Sequence, residues 1–84
     1  MGYTQYTFPT FEGDLEEVRW NQFLALQNDL LGRSVRFCQS GGGWSEFVVE
    51  GIKFPGEETG FVATGRSGAS APVNTNVKIF VPLA

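Results

Sequence analysis

The sequence predicts an α+β fold: an N-terminal strand, then one long helix packed across an antiparallel sheet of four to five strands. Three observations carry this. Residues 14–32 have the length, period and end signals of a helix. The segments that follow alternate apolar and polar residues in short runs broken by glycine and proline. The sheet so formed needs a cover for one face, and the helix is the one element long enough to supply it. The 84 residues form one domain, 1–84, without internal repeats or a linker.

The elements follow in order. Residues 3–8 are rich in β-formers and predict a strand with Tyr6 and Phe8 inward, stopped by Pro9. Phe11, in the connection over residues 9–13, is expected to tuck under the first helical turn. Asp14 can accept a first-turn amide, with Glu17 three residues on in the capping-box position. Glu16 and Glu17 suit the positive end of the helix dipole, and Gly32 suits a left-handed closing residue. Leu15, Val18, Phe23, Leu26 and Leu30 make the expected core stripe. Trp20, Leu24 and Leu31 lie on an adjoining face, so the apolar surface is wider than one sheet contact needs. A loop or strand end covering Trp20 is the plain expectation, and a partner or oligomer contact is the sharper one.

Residues 34–39 predict a half-buried strand with Val35 and Phe37 inward and Arg36 and Cys38 outward. After the turn Ser40-Gly41-Gly42-Gly43, residues 44–54 read as one strand with Phe47 and Val49 inward and Glu46, Val48 and Glu50 outward. Eleven extended residues span about 36 Å against about 27 Å for an eighteen-residue helix. A bend or bulge at Gly51 is therefore expected, returning Ile52 and Phe54 to the core. Residues 55–60 read as a turn and 61–64 as a brief strand. Residues 65–76, small and polar, read as a long hairpin loop. Residues 77–83 close the chain with Val77, Ile79, Val81 and Leu83 inward and Lys78, Phe80 and Pro82 outward; Pro82 suits an edge or a strand end. This cystatin-like element order is an analogy of shape with the cystatin and monellin scaffolds and nothing more. The inhibitory Gln-Val-Val-Ala-Gly type of loop is missing, the corresponding turn being Gln39-Ser40-Gly41-Gly42-Gly43-Trp44.

Composition narrows the chemistry. The chain has no histidine, which removes the commonest general base and neutral metal ligand. Its single cysteine, Cys38, can build neither an internal disulfide nor a zinc or iron–sulfur site. As a nucleophile Cys38 would need another base, so a small thiol on the second strand face is the preferred reading. Glu16-Glu17 is explained by capping and Glu57-Glu58 by a solvated turn. Glu46 and Glu50 would stand about 13 Å apart on one strand face, beyond the spacing of a glycosidase pair. Gly41-Gly42-Gly43 lies between strands, whereas phosphate loops lead into a helix. Gly65-Arg66-Ser67-Gly68 is at most a weak anion nest. No catalytic, cofactor-binding or metal-ligating residue is expected, and no enzyme.

A net charge of −3, from six basic and nine acidic residues, has the wrong sign for a general nucleic-acid binder. The apolar runs are too short to span a membrane, and the N-terminus lacks the regions of a signal peptide, so a cytoplasmic location is expected. Without a disulfide, one core must stabilise a chain that buries only roughly 60–65% of its unfolded surface. Eight Phe, two Tyr and two Trp are a heavy supply for it, and contact surface is their other use.

The remaining expectation is a small non-catalytic protein–protein interaction module, an adaptor, inhibitor or assembly protein. Viral adaptors of this size would work in a host cytoplasm. The candidate contact residues are Trp44, Val48, Phe80, Arg36, Lys78 and Arg66, on the helix-free sheet face and its loops. Trp44, beside a pliable glycine run, fits a hot-spot aromatic, its alternative being a core residue at a strand start. The partner is another protein or a second copy, a homodimer through the sheet edge or face. The alternatives are a single-stranded nucleic-acid module using sheet aromatics and scattered cations, and a small-ligand carrier or enzyme with an unrecognised site.

Overall fold

The computed structural model describes residues 2–38 and 41–83. The elements are β1 (Tyr3–Gln5), α1 (Leu15–Leu30), β2 (Ser34–Cys38), β3 (Trp44–Val48), β4 (Gly51–Gly56), β5 (Gly60–Thr64), β6 (Ser70–Val73) and β7 (Ile79–Pro82). The α+β class stands. The sheet is divided: one has four strands in the order β1-β7-β2-β3, the other three in the order β4-β5-β6, all pairs antiparallel.

The expected continuous strand over residues 44–54 is the cause of the division. It breaks at Val49 and Glu50, so its first half pairs with β2 and its second with β5. The bend expected at Gly51 therefore falls just before it and moves the chain from one sheet to the other. Val49, at the corner, is fully enclosed: its amide donates to the Arg33 carbonyl at 3.0 Å and its carbonyl accepts from Gly32 at 2.9 Å. On the far side, the Glu50 amide donates to the Thr64 carbonyl at 2.7 Å. Both sheets are thus stitched on either side of one kink.

Helix α1 is 16 residues long. Asp14 caps it, its carboxylate accepting the Glu17 amide at 2.9 Å, and Gly32 follows at φ +79, where a side chain would be strained. Leu26 and Leu30 are fully buried, each worth about 1.5–3 kcal/mol of apolar transfer. Leu15, expected in the same stripe, is 66% exposed at the start of the helix. Phe11 is also exposed rather than tucked under the helix.

The core draws on every layer. Val35, Phe37, Ile79 and Val81 come from the four-stranded sheet; Ile52, Phe61, Ala63, Ala71 and Val73 come from the three-stranded one. Phe8, Phe23 and Phe54 ring Phe61 at centroid distances of 6.4, 6.4 and 4.9 Å.

Three further expectations need correction. Residues 65–76 are no plain loop, since a short 3-10 turn (Arg66–Gly68) leads into β6, which pairs with β5. The first strand stops at Gln5, although Tyr6 still donates its amide to Ile79 at 2.7 Å and packs, with Phe8, against the core. At the other terminus Leu83 is exposed, not inward. Pro82 ends β7, a central strand. The ladder to β2 runs only over Arg36↔Phe80 and Phe37↔Ile79, so the missing proline N–H falls where that pairing has stopped. No helix among the described residues is long and apolar enough to cross a membrane.

Candidate protein-docking face

Alternation along β2, β3 and β7 turns Arg36, Cys38, Trp44, Glu46, Val48 and Phe80 to the side of the four-stranded sheet away from the core. No loop among the described residues roofs it. Trp44 remains 55% and Val48 51% exposed. Trp44 is therefore an outward residue, not a core one. Its indole meets the Phe80 ring edge-on at 5.5 Å, which leaves Phe80 half-buried beneath it.

The other half of the face is polar and tied. Tyr3 on β1 donates its hydroxyl to Glu46 on β3 at 2.6 Å, reaching from one edge strand to the other. Arg36 lies over the Tyr3 ring at 4.4 Å and donates to the same Glu46 carboxylate at 3.2 Å. The Tyr3 hydroxyl, then the Arg36 guanidinium, hold the Glu46 carboxyl below the usual carboxylate range. That same hydrogen bond pushes the Tyr3 phenol upward.

The six expected contact residues do not all converge. Trp44, Phe80, Val48 and Arg36 share the face. Lys78 precedes β7 at its margin, its carbonyl accepting the Cys38 amide at 3.2 Å. Arg66 belongs to the β5–β6 connection in the other sheet and pairs with Glu50 at 3.3 Å. Tyr3 is the residue that strand-by-strand reading did not assign to the site. Its alternation with Tyr6 places it outward, but only the pairing Tyr3↔Pro82 puts it on this sheet. Gln39 and Ser40 of the hairpin lie outside the described residues.

The backbone at this margin is open as well. The Val49 amide bond to Arg33 fixes the phase of the β2–β3 ladder. Alternation then directs the Phe47 and Ser45 main-chain groups to β2, and those of Trp44 and Glu46 outward along the sheet edge.

A second apolar feature lies on the far side of the core. An open groove of about 540 Å³ runs between α1 and β4, with Trp20 and Phe23 on its helix wall and Ile52 and Phe54 on its strand wall. Trp20 is 60% exposed, so the loop expected over it is not there; it stacks on Phe23 at 5.8 Å. Among the described residues no group of three His, Cys, Asp or Glu side chains is placed to hold a metal ion. No protein-family model matches the chain, and no curated protein or solved structure matches it.

Proposed function

We propose that this chain is a small non-catalytic interaction module that docks on another protein through the outer face of its four-stranded sheet and the adjoining β2–β3 hairpin. The observation that carries the reading is the Trp44–Phe80 pair: a large aromatic left mostly in solvent yet already propped in place. A pre-positioned indole loses little freedom on binding, which is the property of hot-spot residues. Val48 extends the apolar patch, while the Tyr3–Arg36–Glu46 strap forms its polar margin. The open Trp44–Glu46 edge offers the partner main-chain hydrogen bonds in addition.

The charge pattern favours protein over a nucleic-acid strand. Arg36 is matched by Glu46, and Arg66 by Glu50, so neither presents an unopposed cation to a phosphate backbone. An adaptor, inhibitor or assembly role in a cytoplasm, viral or otherwise, fits such a face.

The test compares the parent with Val48→Glu and Phe80→Glu in affinity capture from the source organism's extract. A defined partner retained by the parent and lost from both variants, with native circular dichroism, is the expected result. Val48 is exposed, so its variant separates lost docking from lost folding. Capture unchanged in both variants overturns the proposal.

A further inference from the structure

We propose that the groove between α1 and β4 seats a second copy of this chain, in a two-fold dimer that lays the helix wall of each copy on the strand wall of the other. The inference concerns the side of the core remote from the sheet face and stands whether or not that face docks a partner.

Charge placement identifies the occupant. Glu16 stands on the helix wall and Lys53 on the strand wall, and neither has an ion-pair partner among the described residues. The third charge there, Arg19, is already engaged: it donates to Glu57 at 3.1 Å and lies 4.7 Å from the centre of the Phe54 ring. A two-fold axis running along the groove turns each helix wall onto the opposite strand wall. Glu16 then meets Lys53 of the second copy, and Lys53 meets its Glu16, two attractive pairs from one operation. An axis across the groove would set helix on helix and give Glu16 no cation.

Area supports the same occupant. Trp20 is the most exposed apolar residue lining the groove, at 60%, and Leu24, one turn further along the helix, is 45% exposed beside it. Together they present roughly 230 Å² of apolar surface, to which the half-buried rings of Phe23 and Phe54 add. A standard interface buries about 800 Å² per partner, a little over half of it apolar. Trp20, Leu24 and the half-buried rings of Phe23 and Phe54 supply the apolar centre of such an interface, with Glu16 and Lys53 at its charged rim. The Phe23 ring beneath Trp20 holds the indole outward, so little order remains to be imposed on contact. A dimer of this kind leaves both sheet faces outward, and two linked copies of a docking face bind a multivalent partner more tightly than one.

Sedimentation of the parent over a dilution series is expected to move between the 9.2 kDa chain mass and twice that value. Glu16→Lys and Lys53→Glu each replace two attractions by two repulsions, and each is expected to weaken dimerisation about tenfold or more. Mixing the two variants restores complementary walls, so the mixture is expected to dimerise within about threefold of the parent, as is the double variant. Trp20→Ala is expected to be monomeric with its helical circular dichroism intact. A parent that stays monomeric throughout overturns the proposal, as does a dimer that ignores both charge reversals or a mixture no better than either variant alone. An amphipathic peptide that fills the groove of a monomeric parent overturns it as well.

Discussion

Gly65→Ala tests the corner between the sheets by adding one methyl group. The Gly65 backbone is extended, at φ −138 and ψ −164, a conformation any residue adopts, so only space is at issue. A Cβ there would stand 2.6 Å from Cδ2 of Phe47 and 2.9 Å from the Val48 carbonyl oxygen, against an ordinary contact of about 3.5–4.0 Å. Relief requires a shift of about 1 Å. The ring has little room to yield, since Phe47 stacks on the buried Phe37 at 5.4 Å with the planes only 17° apart. The oxygen belongs to the strand that turns the corner. Overpacking of this kind costs about 1–3 kcal/mol. Set against the roughly 4–13 kcal/mol typical of such a domain, it should lower the melting midpoint by about 5–20 °C. The assay is thermal and urea unfolding followed by circular dichroism. Gly56→Ala is the control, because a Cβ at Gly56 meets no atom within 4 Å; it should change stability by less than about 0.5 kcal/mol. Phe47→Leu should cost less in the Gly65→Ala background than alone, since the two share one contact. If Gly65→Ala melts with the parent, or Gly56→Ala falls as far, the close packing at the corner is wrong.

Two further predictions concern the helix and its neighbours. The Tyr6 hydroxyl donates to Asp29 at 2.6 Å, and burial first, then this bond, raise its pKa far above the ordinary 10.0. A raised folded-state value means the bond contributes fully below pH 10 and is lost as the pH climbs through that value. Tyr6→Phe should therefore lose about 1–2 kcal/mol at neutral pH and show a shallower alkaline decline, measured by urea unfolding across pH. Asp14→Ala should cost about 1 kcal/mol by freeing the Glu17 amide, and Asp14→Asn should retain most of the stability in the same assay.

Local signals made α1 legible: Asp14, Glu17 and Gly32 act within a few residues, and the structure uses Asp14 and Gly32 where expected. The alternation of Val35 and Phe37 fixed β2 in the same way. Strand partners are not local. The break at residues 49–51 was visible as a glycine in a run too long for one strand, but its effect, a change of sheet, depends on β2 and β5 pairing with the two halves. β6 was hidden for a different reason. Ser70, Ala71, Pro72 and Val73 have little β-signal, and their strand comes from burying Ala71 and Val73 against β5.

The same distinction applies to the docking face. Val48, Phe80 and Arg36 were placed together by side-chain alternation and Trp44 by the hairpin beside them, whereas the reach of Tyr3 to Glu46 spans the sheet from edge to edge. Arg66 was grouped with the face through its loop, and its bond to Glu50, in the connection of the other sheet, sends it elsewhere.

A photo-crosslinking residue at position 48, compared with one at position 70 on the exposed side of β6, tests the docking face most directly in living source cells. Adducts of defined mass from position 48, with none from position 70, are the predicted result. Equal labelling at both positions, or adducts from position 70 alone, would contradict it.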